Sequence, residues 1–151
     1  MISATHLHAM LIHFPIALLL AGFFSESLGL LFKKDFFHKA GYFLLILGTI
    51  GAIVAYITGN LAGSGIEEGP LLIPVELHET AGGITLLLAM LTTVVYSVIL
   101  YLKHAKSWLK WVGFLLFLTL SVAILRTGYL GGQLVFTHGA GVELQLPDFS
   151  N

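Results

Sequence analysis

Four apolar stretches, each of about twenty residues, constrain this chain more than any other feature of it. They run roughly over residues 13–32, 40–62, 80–102 and 109–130. A hydrocarbon core of ~30 Å needs about 20 helical residues to cross it. In lipid the backbone has no water to bond to, so each stretch must satisfy its own amides and carbonyls, and a helix does that. With 57% apolar residues, 10% charged residues and a mean hydropathy of +0.94, the 151-residue chain is too apolar to stay in water as one small domain. The expected fold is all-α and integral to a membrane, a single four-helix transmembrane domain over residues 1–151.

The lysines orient it. Lys33, Lys34 and Lys39 join spans one and two, and Lys103, Lys106 and Lys110 join spans three and four. Lysine-bearing short loops stay in the cytoplasm, which puts both termini and the Gly63–Leu77 connection outside, with Glu67, Glu68, Glu76, Glu79, Glu143 and Asp148. No positive charge precedes the first span and Lys33-Lys34 follow it, so it reads as a span and not as a cleaved leader. The Gly- and Pro-rich connection carries a short apolar run that could dip into the interface. The tail, with Leu134, Val135, Phe136, Val142, Leu144 and Leu146, could lie on the outer face.

The halves read as tandem copies of one helical hairpin, offset by about 70 residues. His8 matches His78, Lys33 matches Lys103, and Thr58-Gly59-Asn60-Leu61-Ala62-Gly63 matches Thr127-Gly128-Tyr129-Leu130-Gly131-Gly132. Two-span copies run in the same direction, related by an axis along the membrane normal, and give an up-down bundle. Small residues recur at helical spacing: Ala17, Ala21 and Ser25 in span one, Gly48, Gly51 or Ala52, Ala55 and Gly59 in span two, and Ala81 or Gly82, Thr85 and Ala89 in span three. Such stripes let helices pack closely in lipid, and they could also admit a flat cofactor.

Several chemistries drop out. There is no cysteine, hence no disulfide, c-type haem attachment, thiolate zinc site or iron–sulfur cluster. A net charge of −1 without a basic, aromatic-interleaved stripe gives no reason to expect nucleic acid. No set of residues reads as catalytic.

Seven histidines remain. His38 and His104 neighbour lysines in the cytoplasmic loops, where an interfacial or phospholipid-facing role fits. His6, His8, His13, His78 and His138 fall on the outer side. On one helix His8 and His13 would be about 140° and roughly 7.5 Å apart, too divergent to grip one ion, so they should face different partners. Pro15 begins the helix or, if the helix starts earlier, frees the Leu11 carbonyl and bends the mouth. His78-Glu79 opens span three, without the second histidine of a zinc-protease motif, because that position is Gly82. Glu79 could orient a ligating histidine or cap the span. Thr137-His138-Gly139-Ala140-Gly141 places a histidine in a glycine-flanked turn.

Two charges lie within the spans. Arg126, the only arginine, is expected to face Glu79, Glu76 or a cofactor carboxylate, because a cation at the centre of a span costs about 2.5–3.5 kcal/mol. Glu26 reads as a protonated or snorkelling side chain, or as a proton-handling one.

The His8 to Leu18 stretch, H-x4-HFPIAL, with the Thr58-Gly59 span ending, Leu77-His78-Glu79 and GGQLVFTHGAGV at Gly131–Val142, resembles a family of bacterial four-helix membrane proteins, domain of unknown function 2231. The resemblance covers nearly the whole chain. It implies His8, His13, His78 and His138 as motif histidines, leaves His6 outside the pattern, and implies a multi-pass protein of the bacterial inner membrane. Related domains fused to c-type cytochrome modules imply redox work at the outer face.

The leading expectation is therefore a b-type haem protein for electron transfer at the outer side, with one haem or two. Its cofactor residues are His8, His13, His78 and His138, with Arg126 and Glu79 beside them, and His8 pairs with His78. A c-type cytochrome or a quinone would be the redox partner, and a homo-oligomer is left open. Copper, zinc or non-haem iron on the same four histidines is the second reading. A non-redox scaffold or small transporter is the third.

Overall fold

The computed structural model describes residues 3–66, 68–102 and 105–142. Glu67, Lys103, His104, Glu143, Leu144, Leu146 and Asp148 lie outside the described residues. Helix α1 (Ala4–Leu11) starts at Ser3, whose side chain accepts the His6 amide, and runs into α2 (His13–Phe32) through Ile12 alone. Ile12 is itself helical, at φ −60° and ψ −26°. Pro15 has no N–H to offer the Leu11 carbonyl, which accounts for a break here in an otherwise continuous apolar unit. Of the two courses open to Pro15, the helix takes the earlier start.

Lys33, in the left-handed region at φ 53° and ψ 42°, turns the chain into α3 (Asp35–Gly63), where Asp35 meets the favourable N-terminal end of the dipole. Helix α4 (Leu72–Tyr101) and α5 (Ser107–Phe136) follow. Four elements, counting α1 and α2 as one, are long and apolar enough to cross a membrane.

Two helix starts fall earlier than apolar length alone places them. Helix α3 begins at Asp35, which brings His38 and Lys39 into its first turns. Helix α4 begins at Leu72, with Pro74 in the first turn where no amide is missed, so His78 and Glu79 lie inside it and Glu79 does not cap it.

The helices form a bundle of two hairpins, α2 with α3 and α4 with α5, joined by α3 against α4 and α2 against α5; α1 lies on α3. Glycine sets the first hairpin. A Cβ built on Gly22 would come 3.2 Å from the Gly41 carbonyl, and one on Gly41 3.0 Å from the Gly22 carbonyl, so the two backbones touch. The buried face of α2 carries Leu19, Gly22, Ser25 and Gly29, whereas Ala17 and Ala21 are exposed, contrary to the stripe expected from spacing. On α4 the expected Ala81, Thr85 and Ala89 are buried.

Hydroxyl pairs tie the hairpins together: Tyr42 to Ser97 and Thr49 to Thr93, both at 2.9 Å, between α3 and α4. Within the second hairpin Thr85 meets Thr127 at 2.8 Å. In lipid such bonds contribute about 0.6 kcal/mol each. Leu19, Leu45, Ala89, Tyr96, Phe117, Leu120 and Ile124 fill the centre. Phe14, Phe24, Leu31, Phe43 and Trp111 face outward, as side chains that meet lipid should.

Candidate functional site

At the end of the bundle remote from Lys33, the half-buried His8 and His78 meet edge to face, ring centres 6.2 Å apart and planes at 77°. One comes from the N-terminal helix of each hairpin. Beneath each ring lies a glycine of the following long helix. A Cβ on Gly59 would stand 3.0 Å from Cε1 of His8, and a Cβ on Gly131 would stand 3.0 Å from Cε1 of His78. The two cradles agree closely, and any side chain at either glycine would displace a ring.

The polar support differs. His8 Nδ1 lies 3.2 Å from the Thr58 hydroxyl, which is also within bonding distance of the Val54 and Ala55 carbonyls, at 3.0 and 3.1 Å. When the hydroxyl gives its proton to one of these carbonyls, it accepts from His8, the arrangement that puts the ring proton on Nδ1 and leaves Nε2 with a bare lone pair. That is the state in which imidazole ligates a metal. Thr127, the sequence counterpart of Thr58, donates to the Ala123 carbonyl at 3.0 Å and is engaged by Thr85. His78 Nδ1 is buried and meets no side-chain partner, and the Thr127 backbone is the polar group against the ring. The second cradle thus supplies shape without the matching hydroxyl.

The other expected residues are placed less centrally. His13, the first residue of α2, is exposed, and so is His138 in the turn after α5. Gly139 and Gly141 in that turn are left-handed, at φ 66° and 75°, and a Cβ on Gly141 would lie 2.8 Å from Thr5, so the tail returns to α1. Arg126 is exposed and makes no ion pair among the described residues. The Glu79 carboxylate rests against Gly63 at the end of α3. Among the described residues no three histidine or carboxylate side chains assemble as a metal site.

The profile of a family described as "Predicted membrane protein (DUF2231)" matches residues 4–144. The chain belongs to that family. Both cradles of this DUF2231 protein lie inside the matched residues, as do His13, Glu79, Arg126 and His138. No curated protein and no solved structure gives a significant match.

Sequence reasoning passed over Thr58 and the two glycines as site residues. A signal existed for Gly59, which lies in the repeated Thr-Gly motif. Gly131 opens the GGQLVFTHGAGV motif, but the repeat aligns Gly59 with Gly128, one turn away from the glycine that supports His78. At the opposite end, His38 has a partner that its place beside Lys39 did not suggest: its Nδ1 lies 2.9 Å from the Glu26 carboxylate.

Proposed function

We propose that this integral membrane protein holds one b-type haem between His8 and His78 and passes electrons at the outer side of the bacterial inner membrane. The observation that carries the reading is the facing pair of imidazoles, one from each hairpin. With ring centres 6.2 Å apart, the two imidazoles are the residues that would hold a haem iron. His8 keeps Nε2 clear of the Thr58 contact, and the buried Nδ1 of His78 meets no side-chain partner.

Donor count favours haem over a bare ion. Zinc and copper sites draw three or four ligands from the protein, whereas haem iron asks only for axial ones. When bound, the group supplies one-electron chemistry. The protein's part is to fix both rings on their glycines and to hold His8 through Thr58. Arg126, exposed beside Thr127, is left to pair with a propionate or a lipid phosphate. His13 and His138 would serve only a second haem, and we expect a single one.

The outward orientation rests on the positive-inside rule applied to the six lysines, and a c-type cytochrome or quinone is the redox partner that this placement suits. The test is an absorption spectrum of protein purified in detergent after haem-replete expression. A Soret band at one haem per chain is expected, absent from His8→Ala and from His78→Ala. Colourless wild-type protein carrying a stoichiometric metal would move the assignment to copper, zinc or non-haem iron. Colourless, metal-free protein would leave a scaffold or transporter.

A further inference from the structure

The end of the bundle near Lys33 holds a second cluster, unrelated to the paired histidines. Glu26 of α2 is buried to 6% exposure, and its Oε2 lies 2.9 Å from Nδ1 of His38 on α3. The His38 ring is pressed against Gly29, one turn along α2 from Glu26, where a Cβ would stand 2.8 Å from both Cε1 and Nδ1. This ring is about one third open, with 37% of the side chain accessible, and Nε2 makes no bond within the described residues.

From α4, Tyr96 reaches the same place. Its hydroxyl is buried beside the Glu26 carboxylate. Helix α5 contributes Gly113 and Phe117 against the Tyr96 ring, neither of which titrates. The exposed Asp35 and Lys39 flank His38 on its own helix.

We propose that Glu26, His38 and Tyr96 form a proton-exchange site, loaded from the lysine-bearing aqueous face through His38. A proton arriving on Nε2 makes the ring an imidazolium. The Nδ1 proton then moves to Oε2 of Glu26, leaving a neutral imidazole and a neutral carboxyl, with no electron transferred. Unloading reverses both steps. Tyr96 is the positioned neighbour to which the protonated carboxyl can donate inside the bundle. A carboxylate alone at this depth would be costly, and an open histidine alone would be an incidental surface group. Bonded together, they connect a buried acceptor to water in one step.

The site needs no cofactor, and its test reads none. Infrared difference spectra of the protein in lipid nanodiscs after a downward pH jump should show a carboxylic C=O band, absent from Glu26→Gln. His38→Gln keeps a hydrogen-bonding side chain but carries no proton, and should slow the rise of that band on the order of a hundredfold. Gly29→Ala, which displaces the ring without removing a titrating group, should slow it too. Absence of the band from wild type, its persistence in Glu26→Gln, or an unchanged rise in both His38→Gln and Gly29→Ala would overturn the proposal. The last two variants decide the question even if Glu26→Gln does not fold.

Discussion

The two histidine cradles share a shape and differ in their polar support. His8 and His78 each lie on a glycine at the same 3.0 Å, yet only His8 has a hydroxyl on Nδ1. The repeat aligns Thr58 with Thr127, but His78 sits over Gly131, one turn beyond Gly128, and Thr127 is taken by Thr85. The two cradles share their steric half, while the Thr127 hydroxyl goes to helix packing. A ring position needs only room, whereas a tautomer needs a partner whose own proton is committed elsewhere.

Variants can break this comparison in order of expected size. His8→Ala and His78→Ala should each remove the haem absorption entirely; survival of the full band in either would show that the rings do not act as a pair. Thr58→Val should come next, weakening cofactor retention about 10–100-fold, read by haem transfer to apomyoglobin. Gly59→Ala and Gly131→Ala should cost about 1 kcal/mol apiece, roughly fivefold in retention, because the ring needs to yield by only a few tenths of an ångström. Unequal effects of the two alanines would show that the cradles are not equivalent. Thr127→Val should leave retention unchanged and lower bundle stability by about 0.6 kcal/mol in a steric-trap unfolding measurement.

What could be read beforehand follows the same division. Membrane helices are encoded by length and apolarity, so four of them were legible, and a repeat that puts His8 and His78 in equivalent places made their approach legible too. Helix starts were less so: the short apolar runs at Phe36-Phe37 and Leu71-Leu72-Ile73 are cut off from the long stretches by polar residues, and the earlier starts carry His38 and Glu79 into helices. The Glu26–His38 bond stayed hidden for that reason, since a histidine beside Lys39 reads as a loop residue. Direction is the other thing hydropathy omits. It measures how deep Arg126 lies and not which way it points: the side chain is exposed and makes no ion pair among the described residues. The one-turn offset between Gly128 and Gly131 depends on how α4 slides along α5, which no local pattern records.

The contact of Gly22 with Gly41 has a consequence for how the protein is made. Backbones that touch across a two-residue turn let α2 and α3 close while α4 and α5 are still being made, and Phe117 of α5 then packs against Gly22. Helices α4 and α5 come later and meet a partner already in place. His8 waits on the first half through that interval and finds His78 only when the second half has docked. A cofactor bridging the two rings would therefore bind only finished molecules, and its presence would count them.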